Sequence, residues 1–460
     1  MPDSPLVVVG GSIASLVAAD AALRRGRQVE LILPRSGVGG GFRPLRVDGR
    51  RLDIGVRLLE IDREDASVPP PLAGYRPGPT AHAAYVRHVA DWVGDLVGDR
   101  LREVDRPAMS LDGRLVDDIY FTVDLDGLSS TLAPDEARRT AAEAGDARRR
   151  EGDAGVLDEA HDLLRCSLEE ASRANHGATF HDRFIASMCA KIHPGGAAAV
   201  PAALRRKVWM PLFHPRTLER AASGAPTGFH PRRPFHTVEP GGMGEVVEAL
   251  LARIRGAARA RIVESGKLVG VTRVGRGITA LGFDNGVVRT ARNPVIGTGT
   301  EEIFAAAGAR YAPGRVPMTL AWAEADEADV AALPSLTHIP DPNIPAFRVS
   351  PGGDGTPGTR VLALELRHDT PPDAIDAAVD TTLRGIGLVR PGADIRVVHR
   401  HAGLGPVDPS RASVEAFAVA RAILDSVRLE AEIVGGASAF GADSFNEQVI
   451  QGLRAEEMTA

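Results

Sequence analysis

Apolar residues at the start of the chain fall into two continuous runs separated by a helical pattern. Residues 6–9 form the first run, and apolar positions then recur at helical spacing from Ile13 to Arg25 before Gly26 interrupts them. A second run covers 29–33. Short continuous apolar runs are typical of parallel strands covered on both faces. The pattern therefore predicts a strand–helix–strand unit that begins at Leu6.

A similar pattern returns after a middle region of different character. The middle region, from about 84 to 235, mixes short strands with helices predicted around 84–97 and 134–175. Strands running into glycine turns reappear at 294–299 and 431–436. We therefore predict an α/β protein with a discontinuous Rossmann-like nucleotide-binding domain and a mixed antiparallel-sheet and helical substrate domain. The predicted boundaries are 1–83, 236–314 and 401–460 for the first domain, and 84–235 and 315–400 for the second.

Two further predictions concern the sheets. The apolar runs that end at or beside glycines or loops should be neighbouring strands of one sheet, because ligand-side turns follow the carboxyl ends of parallel strands. These runs are Val7–Gly10, Val29–Leu33, Val295–Gly297 and Ile433–Gly435. The middle region should not be independent, and should share an antiparallel sheet with residues 315–400.

Composition and charge narrow the function classes. The chain has 44% apolar and 25% charged residues and a formal net charge of −6, with no basic run interleaved with aromatics, so no nucleic-acid partner is expected. Cys166 and Cys189 are too few for a disulfide framework. No apolar stretch approaches the roughly 20 residues of a membrane span, and no signal peptide is recognised, so a cytoplasmic protein is expected.

The first strand runs into a partly preserved dinucleotide motif, Gly10-Gly11-Ser12-Ile13-Ala14-Ser15. Three glycines normally allow a tight turn, close approach of the pyrophosphate, and close packing of helix on strand. Here Gly10 remains, while Ser12 and Ser15 replace the second and third glycines. The following helix still offers free N–H groups to a phosphate.

The second strand lacks the usual ribose-binding acid at its end. That position is Leu33, followed by Pro34 and Arg35, and leucine accepts no hydrogen bond. Compensation would need Arg35 or Ser36 to reach the adenosine. Further on, Gly297-Thr298-Gly299 lacks a third glycine and leads into Glu301 and Glu302, so a separate NAD(P)H-binding domain is not expected.

Several motifs, in the expected order, resemble those of the FAD-dependent amine-oxidase-like flavoproteins. The resemblance begins with Arg35-Ser36-Gly37-Val38-Gly39-Gly40-Gly41-Phe42, which is similar to the family's second glycine motif. It continues through Arg51–Gly55, the Pro-Gly-Gly-Met stretch at 240–243, a strand near Val269 and the strand end at 295–298. The middle region looks more like UDP-galactopyranose mutases and protoporphyrinogen-oxidase-like proteins than like monoamine oxidases.

This resemblance implies FAD as the cofactor, held by three segments of the chain. At the C-terminal segment, Gly436 stands where the family has a flavin-phosphate aspartate, while Asn446 matches the start of the last helix. No catalytic residue and no metal ligand set is assigned. The cofactor-binding residues that the resemblance implies are Gly10, Gly11, Ser12, Ser15, Arg35, Gly39, Gly40, Gly41, Val269, Gly436 and Asn446.

Two arginine pairs are candidate clamps for a phosphate-bearing substrate. Arg205-Arg206 precede Lys207 and Trp209, and Arg232-Arg233 lie in a proline-rich loop. Arginine presents a planar fork that suits phosphate, although a helix end with favourable charge explains the first pair equally well. Histidines concentrate in the same region, where some could line a substrate cavity; these are His176, His181, His193, His214, His230 and His236.

Two functions from different classes follow. The first is an FAD-binding flavoenzyme, either an oxidoreductase or a redox-neutral mutase, that acts on a small-molecule metabolite. The second is a flavin-free homologue that serves as a partner subunit or scaffold, in a homo- or hetero-oligomer with a related flavoenzyme. The substitutions at Ser12, Ser15, Leu33 and Gly436 are what the second hypothesis predicts.

Overall fold

The computed structural model describes residues 4–35, 37–55, 58–64, 67–78, 81–158, 161–228, 234–239 and 241–459. Its strands, numbered in chain order, are β1 Leu6–Val9, β2 Val29–Pro34, β3 Leu45–Val47, β4 Arg50–Leu52, β5 Leu59–Glu60, β6 Leu101–Val104, β7 Ala108–Leu111, β8 Arg114–Asp117, β9 Phe235–Val238, β10 Ala260–Ser265, β11 Leu268–Gly275, β12 Ile278–Phe283, β13 Val288–Arg292, β14 Val295–Ile296, β15 Arg315–Asp326, β16 Thr337–His338, β17 Ala346–Pro351, β18 Thr359–Leu366, β19 Arg396–Val407 and β20 Glu432–Ile433.

The α-helices are interleaved with these strands. In chain order they are α1 Ile13–Arg24, α2 Val86–Val97, α3 Leu128–Thr131, α4 Pro134–Glu151, α5 Leu168–Phe180, α6 Ser187–Ile192, α7 Gly196–Ala199, α8 Pro215–Ala222, α9 Gly242–Gly256, α10 Thr300–Ala306, α11 Ile375–Gly385, α12 Arg411–Ser426 and α13 Phe445–Thr459. Among the described residues, no helix is both long enough and apolar enough to cross a membrane.

The nucleotide domain is built on a five-stranded parallel sheet in the order β10-β2-β1-β14-β20. β1 pairs with β2 on one side and with β14 on the other, and β14 pairs with β20. This confirms that the four glycine-terminated or loop-terminated runs are neighbours in one sheet. The sequence pattern also indicates a strand near 260–263; this is β10, which extends the sheet beside β2, a place in the sheet that the pattern did not predict.

Both faces of this sheet are covered, which explains the continuous apolar runs. Helices α1, α2, α9 and α13 pack on one face around Val8, Leu31 and Val295. The β11–β13 meander with α10 and α12 packs on the other, around Val9 and Ile32. Because β2 and β14 lie on opposite sides of β1, the chain order reverses there, and ligands of open α/β sheets bind at the carboxyl ends of such strands.

The second domain contains a seven-stranded sheet in the order β19-β15-β18-β17-β16-β7-β8. Strands β7 and β8 come from the middle region and the other five come from residues 315–407, which confirms the predicted sharing of one sheet. The sheet is mixed, because β16 pairs with β7 in parallel. Helices α3 to α8 cover part of it and bury a separate core around Tyr120, Phe180 and Phe184.

The structure divides the chain somewhat differently from the predicted boundaries. Helix α2 and strand β6 fall within the segment predicted as substrate domain, yet their apolar residues pack in the core of the nucleotide domain. β6 also pairs with β9, which lies at the start of the next nucleotide-domain segment. Strand β19 runs from 396 to 407 and so crosses the predicted boundary at 400/401.

The long helix predicted over 134–175 is two helices. Helix α4 ends at Gly152, whose φ of 79° lies in the left-handed region that glycine adopts most easily. Helix α5 begins after Ser167, which forms a reciprocal capping box with Glu170. Gly152 therefore ends the first helix and the capping box at Ser167 begins the second, so the segment is not one continuous helix.

Candidate functional site: a crevice at the carboxyl ends of β1 and β14

The turn after β1 approaches the turn after β14 closely. Gly10 has a φ of 113°, and a Cβ at this position would overlap the carbonyl oxygen of Gly297. Glycine is therefore required at residue 10 by both conformation and space. This contact places the start of α1 at the topological switch point of the sheet.

Two serines occupy the places of the missing glycines and bond within the protein. Ser12 is the N-cap of α1, and its Oγ accepts a hydrogen bond of 3.1 Å from the N–H of Ser15. The two hydroxyls lie 3.0 Å apart, and Ser15 Oγ donates to the carbonyl of Gly297 at 3.3 Å. The N–H groups of Ile13 and Ala14 have no partner among the described residues.

The second glycine loop lies directly against the first. The N–H of Gly39 donates to the carbonyl of Gly11 at 2.7 Å, and a Cβ on Gly11 would lie 2.9 Å from a methyl group of Val38. Gly39 and Gly40 have φ values of 88° and 53°, and no atom lies within 4 Å of a Cβ built on Gly40 or Gly41. The structure therefore brings Gly10–Ser12 and Gly39–Gly41 together, with open space beside the second loop.

The C-terminal segment reaches the crevice through Gly435 rather than Gly436. A Cβ on Gly435 would lie 3.6 Å from Ser12 Oγ, whereas one on Gly436 would lie 2.7 Å from Thr300 Oγ1. Gly436 instead lines a cavity of about 250 Å³ whose wall includes Lys207 and Asp443, which form an ion pair. Asn446 is the half-buried second residue of α13.

One polar group at the crevice was not among the sequence-predicted residues. Thr298 follows the strand β14, and its Oγ1 is buried without a hydrogen-bond partner among the described residues. The sequence signal was present, because Thr298 lies between two glycines at a strand end. A hydroxyl in that position is a candidate donor to a bound ligand.

The carboxyl end of β2 differs most from a flavin site. Leu33 is 6% exposed and packs into the domain core. Beside it lies a cavity of about 280 Å³, whose wall contains exposed Arg35, Arg43 and Arg255 together with Glu264. Val269, predicted to meet the adenine, is 53% exposed on β11 and does not line this cavity.

These observations fit a dinucleotide diphosphate but not the ends of FAD as the resemblance implies. The helix N–H groups and the open space at Gly40 and Gly41 suit a diphosphate. Leu33 offers no acceptor to a ribose hydroxyl, and Gly436 offers no carboxylate and faces Thr300. The positions where FAD would have its specific anchors are therefore filled by groups that cannot supply them.

A second cavity, of about 470 Å³, lies between the nucleotide domain and the seven-stranded sheet. The turn at Gly241–Gly242 and strand β6 line one side, and Ser350 and Gly353 line the other. A Cβ on Gly242 would lie 2.9 Å from Asp53 Oδ2, so the glycine allows this carboxylate to approach. The carboxylates in its wall belong to Asp53, Glu103, Asp105, Glu239 and Asp354.

A buried pair at the centre of the second domain was also missed by sequence reasoning. His338 Nδ1 lies 2.7 Å from Asp118 Oδ1, and His338 Nε2 is buried without a partner among the described residues. On the neighbouring strand, Arg348 forms a two-point ion pair with buried Glu365. The guanidinium carbon of Arg348 lies 4.2 Å from the ring centroid of Trp209.

Of the two arginine pairs predicted as phosphate clamps, the structure describes only Arg205 and Arg206. Arg205 donates to the carbonyl of Ala202 at 3.1 Å and Arg206 to that of Tyr120 at 2.9 Å. Burial lowers the pKa of Arg205 to about 10. Arg232 and Arg233, together with His230, lie outside the described residues. A clamp role for any of these arginines stays a prediction.

The histidines of the middle region do not form one group. His176 Nε2 accepts from the N–H of Phe213 at 2.8 Å inside the helical core, while His193 Nε2 lies 2.8 Å from Asp408. His236 sits on β9 in the nucleotide domain. Within the described part of the chain, no three His, Cys, Asp or Glu side chains are grouped so that they could hold a metal ion.

Comparisons with known proteins agree with this fold. Residues 8–66 match the family of the NAD(P)-binding Rossmann-like domain. No curated protein sequence matches the chain significantly. Among solved structures, reduced UDP-galactopyranose mutase has a TM-score of 0.70 at 13% identity, over 99% of this chain and 93% of that one.

Two other solved structures are similar over nearly their full lengths. An oxidoreductase from Methanosarcina mazei has a TM-score of 0.57 at 14% identity, covering 98% of this chain and 99% of its own. The CLA-producing fatty acid isomerase from P. acnes has a TM-score of 0.55 at 14% identity, covering 98% of both chains. The chain therefore shares its overall fold with UDP-galactopyranose mutase, as the sequence resemblance predicted.

Proposed function

We propose that this protein is a dinucleotide-dependent enzyme, of oxidoreductase or mutase type, that acts on a small-molecule metabolite. The observation that carries the proposal is the meeting of Gly10–Ser12 with Gly39–Gly41 at the switch point of the parallel sheet. A bound flavin or nicotinamide dinucleotide would supply hydride transfer. The chain itself supplies the diphosphate contacts, through helix N–H groups and glycines that lack a Cβ barrier.

The substrate would enter between the two domains, in the cavity of about 470 Å³. Five carboxylates and no lysine or arginine stand among its lining residues, and one of the five, Asp354, is paired with Arg51 at 3.2 Å. Carboxylates repel anions and attract cations at such short range. We therefore propose a neutral or cationic polar substrate for this cavity, rather than the phosphate-bearing one that the arginine pairs would favour.

Ser12 offers the sharpest test of the dinucleotide proposal. Aspartate and asparagine are both good N-caps, so Ser12→Asp and Ser12→Asn should each preserve α1. Ser12→Asp adds a negative charge beside the proposed diphosphate and should weaken dinucleotide binding by about tenfold or more, whereas the neutral Ser12→Asn should change it little. Titration of FAD, NADH and NADPH into the wild type and both variants, followed by calorimetry, gives the comparison.

The partner-subunit hypothesis is the second candidate, and one observation favours it. The hydroxyls of Ser12 and Ser15 bond to the protein itself, so these two side chains need no ligand to complete their hydrogen bonds. If the folded wild type binds none of the three dinucleotides at millimolar concentration, the enzyme proposal fails. The chain would then be better explained as a subunit or scaffold.

A further inference from the structure

Three arginines that have no ion-pair partner among the described residues surround the cavity at the carboxyl end of β2. Arg35 follows the strand, Arg43 follows the second glycine loop, and Arg255 lies in the last turn of α9. All three are exposed, and none of their side chains forms an ion pair or a hydrogen bond with another described residue. Arg43 packs over Gly37, where a Cβ would overlap its Nη1. The loop glycine therefore lets this guanidinium face the cavity.

The position of the cavity indicates which part of a dinucleotide the arginines would contact. In Rossmann-like sites the end of the second strand meets the adenosine ribose, where an acid binds the 2′-hydroxyl and an arginine accommodates a 2′-phosphate. Leu33, in the acidic position, is buried and offers no acceptor. Arg35 lies two residues further on, at the mouth of the cavity.

The local charge balance also favours an anion. Two carboxylates line the cavity, but Glu248 lies 2.9 Å from Arg46 and is already paired. Glu264, opposite Leu33 on the neighbouring strand, remains as the one unpaired acid among the described lining residues, against three guanidinium groups. A phosphate carries close to two negative charges, and planar guanidinium groups bind it through paired N–H donors.

We infer that this cavity binds the 2′-phosphate of an adenosine dinucleotide, so that the cofactor is NADP(H) rather than FAD or NADH. The inference rests on the proposed dinucleotide function and replaces the flavin implied by the sequence resemblance. It explains both why Leu33 replaces the usual ribose-binding acid and why three arginines without ion-pair partners among the described residues lie around one cavity. The adenosine of FAD carries a free 2′-hydroxyl, to which Leu33 offers no acceptor, whereas a 2′-phosphate would use the arginines.

Small nucleotides test the 2′-phosphate directly. Calorimetry of the full chain at low ionic strength should give 2′,5′-ADP an affinity about tenfold or more above that of 5′-AMP, and the same order for NADPH over NADH. Raising the salt concentration should reduce this preference, because the arginines are exposed. Equal affinities for 2′,5′-ADP and 5′-AMP would overturn the inference.

Single substitutions of the three arginines test which side chains contact the 2′-phosphate. Arg35→Ala, Arg43→Ala and Arg255→Ala should each weaken 2′,5′-ADP about three- to tenfold and leave 5′-AMP unchanged. Arg261→Ala is the matched control, because Arg261 lies on β10 with a 70% exposed side chain but does not line the cavity. A loss for Arg261→Ala equal to that of the cavity variants would indicate general charge attraction and would contradict the inference.

A substitution at Glu264 distinguishes a bound 2′-phosphate from a bound, free 2′-hydroxyl. If a 2′-phosphate binds, Glu264→Gln should tighten 2′,5′-ADP by removing a like charge. If Glu264 instead accepts from a free 2′-hydroxyl, the same variant should weaken 5′-AMP, and the inference fails. Binding of FAD or NADH without preference for the 2′-phosphate overturns this inference alone; absence of all dinucleotide binding overturns the proposed function as well.

Discussion

The carboxylate of Asp118 and the imidazole of His338 lie 2.7 Å apart in the protein interior, and neither side chain is more than 1% exposed. The other carboxylate oxygen accepts from the N–H groups of Phe121 at 2.6 Å and Thr122 at 2.9 Å. The ring of Phe121 stacks on the imidazole. Every oxygen of the carboxylate is thus engaged, while the far nitrogen of the imidazole has no partner among the described residues.

The pair of Asp118 and His338 should make the free energy of unfolding depend on pH in the acid range. Burial opposes ionisation of Asp118, but the charge and hydrogen bond of His338, with the amides of Thr122 and Phe121, hold the pKa of the carboxyl below its ordinary value. A lowered folded pKa gives stability that is present above about pH 4, the unfolded value, and is lost as pH falls through the folded value.

Asp118→Asn should therefore reduce the free energy of unfolding at pH 7 by about 3–5 kcal/mol. The difference from the wild type should shrink as the pH is lowered below about 4. Urea unfolding between pH 3 and 7 measures both effects. Asp135→Asn is the control, since Asp135 pairs with Arg138 at the surface, with side chains 73% and 72% exposed, and should cost at most about 1 kcal/mol. Equal costs for the two variants would refute the prediction.

His176 should add a second, separate pH dependence. Burial lowers the pKa of His176 to about 3, with further lowering by His181. The folded protein keeps this ring neutral while the unfolded chain takes up a proton below about pH 6.5, so stability falls as the pH decreases from about 6.5 towards 3. His176→Gln should flatten this slope by up to about 1.4 kcal/mol per pH unit. An unchanged slope in chemical unfolding from pH 6.5 to 4 would contradict the expected effect.

The turn after β1 should tolerate no side chain at residue 10. Gly10→Ala would combine a φ of 113° with overlap of the Gly297 carbonyl, and should lower the free energy of unfolding by more than about 2 kcal/mol. Gly40→Ala is the matched comparison, because Gly40 also has a positive φ, 53°, but open space around its Cβ. It should cost about 1 kcal/mol. Thermal unfolding of both variants separates the steric effect from the conformational one.

The buried ion pair between Arg348 and Glu365 should show strong coupling. Arg348→Met alone leaves a buried carboxylate without its partner and should cost about 3–5 kcal/mol. The double variant with Glu365→Leu should recover most of this loss, since apolar side chains of similar volume replace buried pairs at little cost. A double-mutant cycle in urea with an interaction energy near zero would show that the two groups are not coupled.

Much of the fold could be predicted because its signals are local. Four glycine-terminated or loop-terminated apolar runs predicted the neighbouring strands. The dipeptide Asp48-Gly49 is typical of hairpin turns, and the structure places it, with positive φ at both residues, between β3 and β4. Helix α12 was missed, and α4 and α5 were merged. The place of β10 at the edge of the five-stranded sheet was also not foreseen, because pairing partners depend on the tertiary arrangement rather than on a residue's own neighbours.

The candidate site was only partly predictable. Gly10, Ser12, Gly39 and Gly40 carry a motif in sequence, and the structure brings them together. The pair of Asp118 and His338 joins residues far apart in the chain, so no spacing could have indicated it. The arginine cavity likewise combines three separate segments. Arg35 was noted for its closeness to Leu33, but Arg43 and Arg255 gave no signal.

The place of β20 after the long strands of the second domain in chain order has a consequence for biosynthesis. A nascent chain emerging from the ribosome presents β1, β2, β10 and β14 well before Glu432–Ile433 can pair with β14. During that interval the edge of β14 exposes unpaired N–H and C=O groups, and the site of α13 on the helical face stays uncovered. The five-stranded sheet is therefore completed only after β15 to β19 have been synthesised, and until then its β14 edge is open to pairing with other strands.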